Sequence, residues 1–222
     1  PWAYGFVRGR SAVENARVHA KSKYFLHVDL ENFFPSIHAS MIFRALVRYM
    51  DAKKAHEIVR LCTYGNRLPQ GAPTSPALAN IVASRLDARL AGLAKRFGAL
   101  YTRYADDLTF SCSESPRKLY VLYKLARKII EEEGFRINKK KVRFSRPGQR
   151  RMVTGLVIGE DARVRVPRKL RRTLRARLHR FAQGASDNPQ SLMGVAAWIA
   201  AAEPLRGRAL IQQIQAITAT KP

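Results

Sequence analysis

The chain has 222 residues, a length that suits one large domain or a domain with an appendage. Hydrophobic residues make up 46% of it, enough for a sizeable core, and no apolar run is long enough to span a bilayer. Lysine and arginine number 41 against 16 aspartate and glutamate, so the net charge of +25 favours a polyanionic partner, nucleic acid before a membrane surface.

The N-terminal segment, residues 1–20, is polar and interrupted by glycines. Arg8 and Arg10 flank Gly9, and guanidinium groups beside a turn can bind a phosphate with paired hydrogen bonds. A solvated basic loop explains the same residues equally well. A short helix is predicted over residues 15–19.

A buried strand is predicted over residues 24–30, because apolar side chains occupy both faces, as in the centre of a sheet. Asp29 lies near its end, and a carboxylate there is costly to bury unless it is paired or bound to a cation. The alternative is that Asp29 caps the next turn. Two amphipathic helices with polar N-cap candidates are predicted next, over 40–50 (Ser40) and 52–63 (Asp51).

A rigid segment rich in proline and small residues spans residues 68–76. Gly71 permits close approach of another group to the backbone, and Gln70 offers both a hydrogen-bond donor and an acceptor. Ser75 is predicted to cap a helix over residues 77–97, with the following proline at its first position. The apolar stripe of this helix belongs to the core rather than to a cofactor site.

Residues 101–111 are predicted to form a β-hairpin with its turn at residues 105–107. Asp106 and Asp107 lie at the tip, where two carboxylates repel and raise one pKa unless a cation neutralises them. Mg²⁺ suits such oxygen ligands, although aspartate also favours turns for its own hydrogen bonding. If the strand of Asp29 neighbours the hairpin, three carboxylates converge, as two-metal phosphoryl transfer requires.

The second half of the chain is predicted to be mostly helical. A helix runs from Pro116 to about Glu133, with Gly134 as its C-terminal stop. The other predicted elements are strands over 135–144 and 151–158, a helix over 165–180, a linker over 184–189, and helices over 190–202 and 205–218.

Cys62 and Cys112 form no metal or redox motif, so we expect inert thiols in a reduced, cytoplasmic setting.

Two stretches of this half are purely basic. Eight basic and no acidic residues lie within residues 136–151, and another eight within 165–180. A charged run is usually a solvated face, but two unbalanced runs favour a track for phosphate groups. Leu170, Leu174 and Leu178 take the buried stripe of the second run, and without acidic partners its cations are expected to repel one another.

The order and spacing of four motifs resemble those of the reverse transcriptases, and specifically the bacterial retron type. They are a first metal-binding motif at residues 28–37, a nucleotide- and template-contacting motif at 68–80, the signature Tyr-Ala-Asp-Asp at 104–107, and a lysine motif at 134–141. Two further features resemble those that retron enzymes typically carry and that separate them from group II introns, namely Asn15 with His19, and Val153, Thr154 and Gly155. The resemblance extends over residues 5–160.

The resemblance implies an α+β fold, a right-hand polymerase with partial fingers, a palm of antiparallel sheet plus helices, and a helical thumb. Fingers and palm would span residues 1–160 and the thumb residues 161–222, with the family's most N-terminal fingers segment missing. The implied activity is RNA-directed DNA synthesis that copies a cognate structured non-coding RNA, which serves as primer and template. Expected partners are this RNA and its DNA copy, deoxynucleoside triphosphates and an effector protein in anti-phage defence, in the bacterial cytoplasm and without a membrane.

The resemblance also assigns roles to individual residues. Asp29 and Asp106 would bind two Mg²⁺ ions, for which Mn²⁺ can substitute, with Asp107 beside them as a further metal-binding and catalytic residue. Lys141 would lie near the pyrophosphate as a proton donor. Its close competitors are Lys139 and Lys140.

Further roles concern the nucleotide and the nucleic acid. Phe34 resembles the steric gate, a rigid aromatic that would clash with a ribose 2′-OH and so select deoxynucleotides. Gln70 and Gly71 would line the incoming nucleotide, and Arg8 and Arg10 would contact its triphosphate. The expected nucleic-acid-binding residues are Val153, Thr154 and Gly155 near the primer, and Arg168, Arg172 and Arg175 along the duplex backbone.

Three alternatives stay open. The chain could be a group II intron-like or other bacterial reverse transcriptase, which a maturase-type basic extension would favour. It could be a catalytically silent palm that binds structured RNA, but the three aspartates argue for activity. A palm-type nucleotide cyclase is disfavoured by the long basic thumb and by Gln70 and Gly71.

Overall fold

The computed structural model describes residues 1–219, so the end of the predicted thumb, residues 220–222, lies outside the described part of the chain. The helices are α1 Ala12–Val18, α2 Phe33–Ser36, α3 Ala39–Leu46, α4 Ala52–Cys62, α5 Ser75–Val82, α6 Ser84–Arg96, α7 Pro116–Glu132, α8 Arg168–Ala182, α9 Pro189–Ala202 and α10 Pro204–Ala219. The strands are β1 Tyr24–Asp29, β2 Leu100–Tyr104, β3 Asp107–Cys112, β4 Arg143–Ser145, β5 Arg151–Val153, β6 Leu156–Ile158 and β7 Val164–Arg165. Within residues 1–219, no helix is both long and apolar enough to cross a bilayer.

A four-stranded antiparallel sheet in the order β2-β3-β1-β4 forms the centre of the predicted palm. The predicted central strand is confirmed as β1, which pairs with β3 along its whole length, and the predicted hairpin is confirmed as the antiparallel pair β2 and β3. Leu26 and Val28 of β1 are at most 1% exposed, so this strand is buried as its sequence indicated. Helices α6 and α7 pack on this sheet. The expected α+β architecture with an antiparallel sheet is therefore confirmed.

A second hydrophobic core lies apart from the palm core. It joins the three-stranded sheet β5-β6-β7 to α8, α9 and α10, and Val13, Ala16 and Phe25 contribute to it from the first part of the chain. The hairpin β5–β6 thus packs with the predicted thumb helices, although it lies within the predicted fingers and palm range. The boundary at residue 160 stays a prediction.

The two N-cap predictions after β1 have different outcomes. The Asp51 carboxylate accepts the backbone N–H of Lys54 at 2.9 Å, so its role as the cap of α4 is confirmed. The Ser40 prediction is wrong, because α3 begins at Ala39 and His38 is its N-cap. The Ala39 N–H donates to the Asn66 carbonyl at 2.9 Å, and this contact with a distant loop, rather than a local side chain, sets the helix start.

The single helix predicted over residues 77–97 is two helices, α5 and α6, separated at Ala83. The Ser84 hydroxyl donates to the Ile81 carbonyl at 2.7 Å and so competes with the backbone ladder at the break. Ser75 is not the cap, because α5 begins at this residue, after Thr74. The Ser75 hydroxyl instead donates to the Pro69 carbonyl at 2.7 Å and fastens the preceding loop to the helix.

Both predicted strands beyond α7 are interrupted. Residues 135–144 contain a 3₁₀ turn at Lys139–Lys141, and only the part from Arg143 onward enters the sheet as β4. The Asn138 N–H donates to the Asp29 carbonyl at 2.9 Å, which turns the chain toward the end of β1. Residues 151–158 form the hairpin β5–β6, because Thr154 and Gly155 have φ of +47° and +79°, as a tight hairpin turn requires.

Candidate active site

The three predicted metal ligands lie at one end of the four-stranded sheet. Asp29 ends β1, and Asp107 begins β3 directly opposite it in the antiparallel register. Asp106 lies in the turn between β2 and β3, where its carbonyl accepts the N–H of Leu30 at 3.0 Å. Ala105, the first residue of this turn, has φ +55°, which suits a tight hairpin. The fold therefore holds the three aspartates at neighbouring backbone positions.

A lysine ammonium neutralises one of these carboxylates. Lys141 Nζ donates to Asp29 Oδ2 at 2.9 Å, and this hydrogen bond raises the pKa of Lys141. The Asp29 side chain is 8% exposed, whereas that of Lys141 is 60% exposed. Because most of the Lys141 side chain is already in solvent, it can move away from Asp29 with little loss of packing contacts. Among residues 139–141, it is the lysine that contacts this aspartate in the described chain.

Negative charge remains in excess at Asp107. Its burial, followed by the nearby carboxylates of Asp106 and Asp29, raises its pKa to about 6. The cations of Lys141 and Arg143 oppose this shift only in part. Because like charges raise this pKa, binding of a cation between them would stabilise the ionised carboxylates.

The donor set is suited to a hard divalent cation. Carboxylate oxygens are the ligands that Mg²⁺ prefers in proteins, and the ammonium of Lys141 already acts as a stand-in cation on Asp29. Over residues 1–219, no three His, Cys, Asp or Glu side chains are grouped so as to hold a metal ion as they stand. Lys141 occupies Oδ2 of Asp29, and its exposure would allow it to release this oxygen to a metal ion.

A buried ion pair stabilises the turn between β2 and β3. Arg103 is 0% exposed, and its Nε and Nη2 donate to the two carboxylate oxygens of Asp87, each at 2.8 Å. Its Nη1 donates to Asn80 Oδ1 at 3.0 Å and to the Ala105 carbonyl at 3.1 Å. Tyr101 adds a third donor to Asp87 at 2.8 Å, and burial raises the pKa of this phenol. Arg103 thus links α5 and α6 to the turn that contains Asp106, the candidate catalytic turn.

This ion pair was not among the sequence predictions, although the sequence contains a signal for it. Arg103 is the one charged residue in the strand β2, and Asp87 lies within the apolar stripe of α6. Charged residues at such positions are buried only when they are paired. Two core charges of opposite sign could therefore have been matched to each other.

Asn15 and His19, the predicted retron-type residues, are both buried. His19 Nδ1 lies 2.6 Å from Ser111 Oγ, and its Nε2 lies 2.8 Å from Thr102 Oγ1. Burial lowers the pKa of His19 to about 3, so its ring is neutral. Asn15 Oδ1 is buried without a hydrogen-bond partner in residues 1–219. His19 thus ties the end of α1 to the palm sheet.

Phe34 lies in the short helix α2, five residues after Asp29, and is partly buried. Its ring contacts Phe33 at a centroid distance of 5.5 Å and Phe6 at 6.0 Å. Gln70 and Gly71 are exposed in the loop before α5, and space is open around the Cα of Gly71.

The two N-terminal arginines differ in their surroundings. Arg10 Nη1 donates to the carbonyls of Pro1 and Ala3, the latter at 2.7 Å, and its guanidinium lies 4.7 Å from the Tyr4 ring centroid. Arg8 is exposed to solvent. Arg10 is therefore engaged within its own segment, whereas Arg8 is accessible to a ligand.

The predicted primer-contacting residues form part of the β5–β6 hairpin. Val153 is 1% exposed in the second core, and Gly155 shares the turn with Thr154. The Thr154 hydroxyl donates to the Ala12 carbonyl at 2.9 Å and thereby fastens the hairpin to α1. These residues are a turn and its buried flank, rather than the strand that the sequence predicted.

The predicted thumb residues lie on one exposed face of α8. Arg168, Arg172 and Arg175 recur at helical spacing, are exposed, and have no carboxylate partner in the described part of the chain. The remaining cations of this basic run are not all unpaired, so the expectation that the run lacks acidic partners is wrong. Acidic residues outside the run pair with three of its members, as Arg165–Asp161, Arg171–Glu203 and Arg177–Asp187.

Most of the chain matches one known family. The model of the family described as reverse transcriptase (RNA-dependent DNA polymerase) matches residues 1–186. The chain belongs to the reverse transcriptase family. The match takes in all three aspartates, Lys141 and α8, while α9 and α10 follow it.

Curated relatives of this reverse transcriptase are retron enzymes. It is 38% identical to the retron Mx162 reverse transcriptase of Myxococcus xanthus, over 98% of this chain and 52% of that protein. It is 37% identical to the retron Ec86 reverse transcriptase of Escherichia coli, over 96% and 67%. It is 39% identical to the retron Mx65 reverse transcriptase of Myxococcus xanthus, over 82% and 47%. The chain is therefore of the retron type, and it spans about half the length of two of these relatives.

Proposed function

We propose that this chain carries the catalytic core of an RNA-directed DNA polymerase of the retron type. The observation that carries the proposal is the pairing of Asp29 with Asp107 across β1 and β3, beside Asp106 and in contact with Lys141. Nucleotidyl transfer needs carboxylates that can hold two cations next to each other. Membership of the reverse transcriptase family supports this reaction for the site.

Asp29 and Asp106 would hold two Mg²⁺ ions, for which Mn²⁺ can substitute, with Asp107 beside them. Bound divalent cations would supply Lewis acidity toward the attacking and leaving oxygens. Lys141 would exchange Asp29 for the triphosphate, where its ammonium can give a proton to the departing pyrophosphate. The exposure of Lys141 and its hydrogen bond to Asp29 support this exchange.

Phe34 would select deoxynucleotides by its bulk beside the sugar. Gln70 and Gly71 would line the incoming nucleotide, and the open space around Gly71 supports a close approach. Arg8 is better suited to the triphosphate than Arg10, because Arg10 is engaged with backbone carbonyls.

The nucleic-acid partner would be a structured non-coding RNA together with its DNA copy. The thumb arginines Arg168, Arg172 and Arg175 would contact the duplex backbone, and residues 153–155 would lie near the primer. An effector protein, a role in anti-phage defence and a bacterial cytoplasmic setting follow from the retron type as part of the proposal. A catalytically silent RNA-binding palm is the second candidate, favoured by the absence of a three-residue metal cluster within residues 1–219.

RNA-templated extension of a primer with deoxynucleotides, with and without Mg²⁺, separates the two candidates. We expect synthesis that requires the RNA template and the metal, and that supplied Mn²⁺ restores. Tight RNA binding without any extension in either metal would contradict the polymerase proposal and favour the silent module.

A further inference from the structure

A second aromatic ring lies against the proposed gate residue. The ring centroids of Phe6 and Phe34 are 6.0 Å apart, with an interplanar angle of 51°. Phe6 is 52% exposed, and its backbone has φ +61°. A bulky residue rarely adopts the left-handed region, and such strain persists where the surroundings impose it, often at functional sites. Because half of Phe6 is in solvent, core packing does not explain its conformation.

The backbone beside Phe6 is fixed to the catalytic turn. The Gly5 carbonyl accepts a hydrogen bond from Asn80 Nδ2 at 3.0 Å, and Arg103 Nη1 holds the Asn80 Oδ1 at 3.0 Å. Gly5 lies so close to the turn that a Cβ on it would be 2.6 Å from the backbone nitrogen of Ala105. The N-terminal segment therefore sets the position of Phe6 relative to the carboxylates.

The Phe34 ring contacts two other aromatic rings, those of Phe33 and Phe6. Phe33 is 5% exposed and stacks on Phe135 with a centroid distance of 5.8 Å. Its own ring lies 5.5 Å from that of Phe34. Since Phe34 is only partly buried, its contact with Phe6 adds a restraint on ring movement to the one that the buried Phe33 supplies.

We propose that Phe6 is a positioning residue for sugar selection, which acts by holding the Phe34 ring in the orientation that excludes a ribose. This assignment rests on the proposed function, in which Phe34 is the gate. A gate discriminates by a repulsive contact, so its strength depends on how little the ring can move away. The strained Phe6 backbone and its attachment to the catalytic turn supply that restraint.

Single-nucleotide extension by the full chain tests this assignment, with kcat/KM measured for a deoxynucleotide and for the ribonucleotide of the same base. Phe6→Gly removes the ring and keeps the backbone, because glycine adopts positive φ without strain. Phe6→Tyr keeps the ring. Tyr49→Ala is the matched control, because Tyr49 is 68% exposed and lies outside the proposed site.

We expect Phe6→Gly to lower the preference for deoxynucleotides about 3- to 10-fold, the contribution of one aromatic pair. The kcat for the deoxynucleotide should change by about twofold or less, since the carboxylates are untouched. Phe6→Tyr and Tyr49→Ala should keep the original preference. In a Phe34→Ala background, Phe6→Gly should cause no further loss, because its effect passes through Phe34.

An unchanged preference in Phe6→Gly, with a lowered one in Phe34→Ala, would overturn the role of Phe6 and leave the proposed polymerase intact. Equal losses from Phe6→Gly with and without Phe34 would overturn positioning, because Phe6 would then act independently of the gate. An unchanged preference in both single variants would overturn the gate and with it this assignment, while extension itself would still support the polymerase.

Discussion

Arginine has opposite surroundings in the predicted palm and in the predicted thumb. In the palm, Arg103 is fully buried, bound by both oxygens of Asp87 and directed at the backbone of the catalytic turn. In the thumb, Arg168, Arg172 and Arg175 share an exposed helix face without a carboxylate partner among residues 1–219. A paired, buried cation fixes geometry, whereas an unpaired, exposed one is free to contact phosphate. Substitutions of arginine in the two regions should therefore have their effects in different assays, on stability in the first region and on RNA binding in the second.

Loss of a proposed metal-binding carboxylate is expected to have the largest effect. Asp29→Asn or Asp106→Asn should slow RNA-templated extension about 10³-fold or more, because one anionic ligand for the cations is lost. RNA binding should persist, because the thumb is unchanged. Asp51→Asn is the matched control, since Asp51 only caps α4. Near-full extension activity in either variant would mean that the metal assignment is wrong.

Breaking the buried ion pair is expected to cost stability. Arg103→Met leaves the Asp87 carboxylate buried without its partner, so the free energy of unfolding should fall by about 3–5 kcal/mol. Arg127→Met removes the exposed pair with Glu131 and should change it by about 0.5 kcal/mol or less. Urea denaturation measures both. An equally small loss of unfolding free energy in both variants would show that Arg103 does not stabilise the turn.

The buried imidazole of His19 should make stability depend on pH. Its pKa is about 3 in the folded protein against 6.5 for a free histidine, because burial disfavours the charged ring. The unfolded chain therefore binds more protons, and stability is lost as the pH falls, by about 1.4 kcal/mol per pH unit below 6.5. His19→Gln should reduce the slope of this dependence between pH 6 and pH 4, and the part that remains is expected from His27, whose pKa burial lowers to about 4. Parallel curves for the two proteins would contradict a neutral, buried His19.

The thumb arginines should affect binding more than chemistry. Replacing Arg168, Arg172 and Arg175 together with Gln should weaken RNA binding without sequence preference. Each lost phosphate contact should reduce the slope of log affinity against log salt by about 0.7 to 0.9. The variant should lose processivity before it loses single-nucleotide addition.

The ion-paired arginines of the same region are a matched control for this slope. Replacing Arg165, Arg171 and Arg177 with Gln removes equal charge from side chains that already contact carboxylates. We expect a smaller change of slope than for the exposed three. An unchanged slope for the exposed three, measured with labelled primer–template, would mean that they face only solvent.

The local sequence determines the parts of the fold that depend on neighbouring residues. The hairpin of Asp106 and Asp107, the central strand ending at Asp29 and the Asp51 cap are all present as predicted. Each follows from a short pattern of apolar periodicity or turn chemistry. Site elements of this kind can be recognised before the tertiary structure is known.

Features that depend on distant contacts were not predictable in the same way. The chain turns at Asn138 because Asp29 offers its carbonyl, so the strand expected over residues 135–144 does not form as one element. The basic run that contains it is divided, because Lys141 binds Asp29 while Arg151 donates to the Ser22 carbonyl at 3.2 Å. Counting charges along the chain cannot distinguish such structural cations from those available to phosphate.

The most direct test of the account is the single-turnover rate of RNA-templated extension, measured over a range of protein concentrations. The unsubstituted protein is compared with two variants. For Asp106→Asn we predict a rate at saturation lowered about 10³-fold with an unchanged half-saturating concentration. For the variant in which Arg168, Arg172 and Arg175 are replaced with Gln, we predict a near-normal rate at saturation and a raised half-saturating concentration. A lowered saturating rate in the thumb variant, or a full rate in Asp106→Asn, would contradict the division between a catalytic palm and a binding thumb.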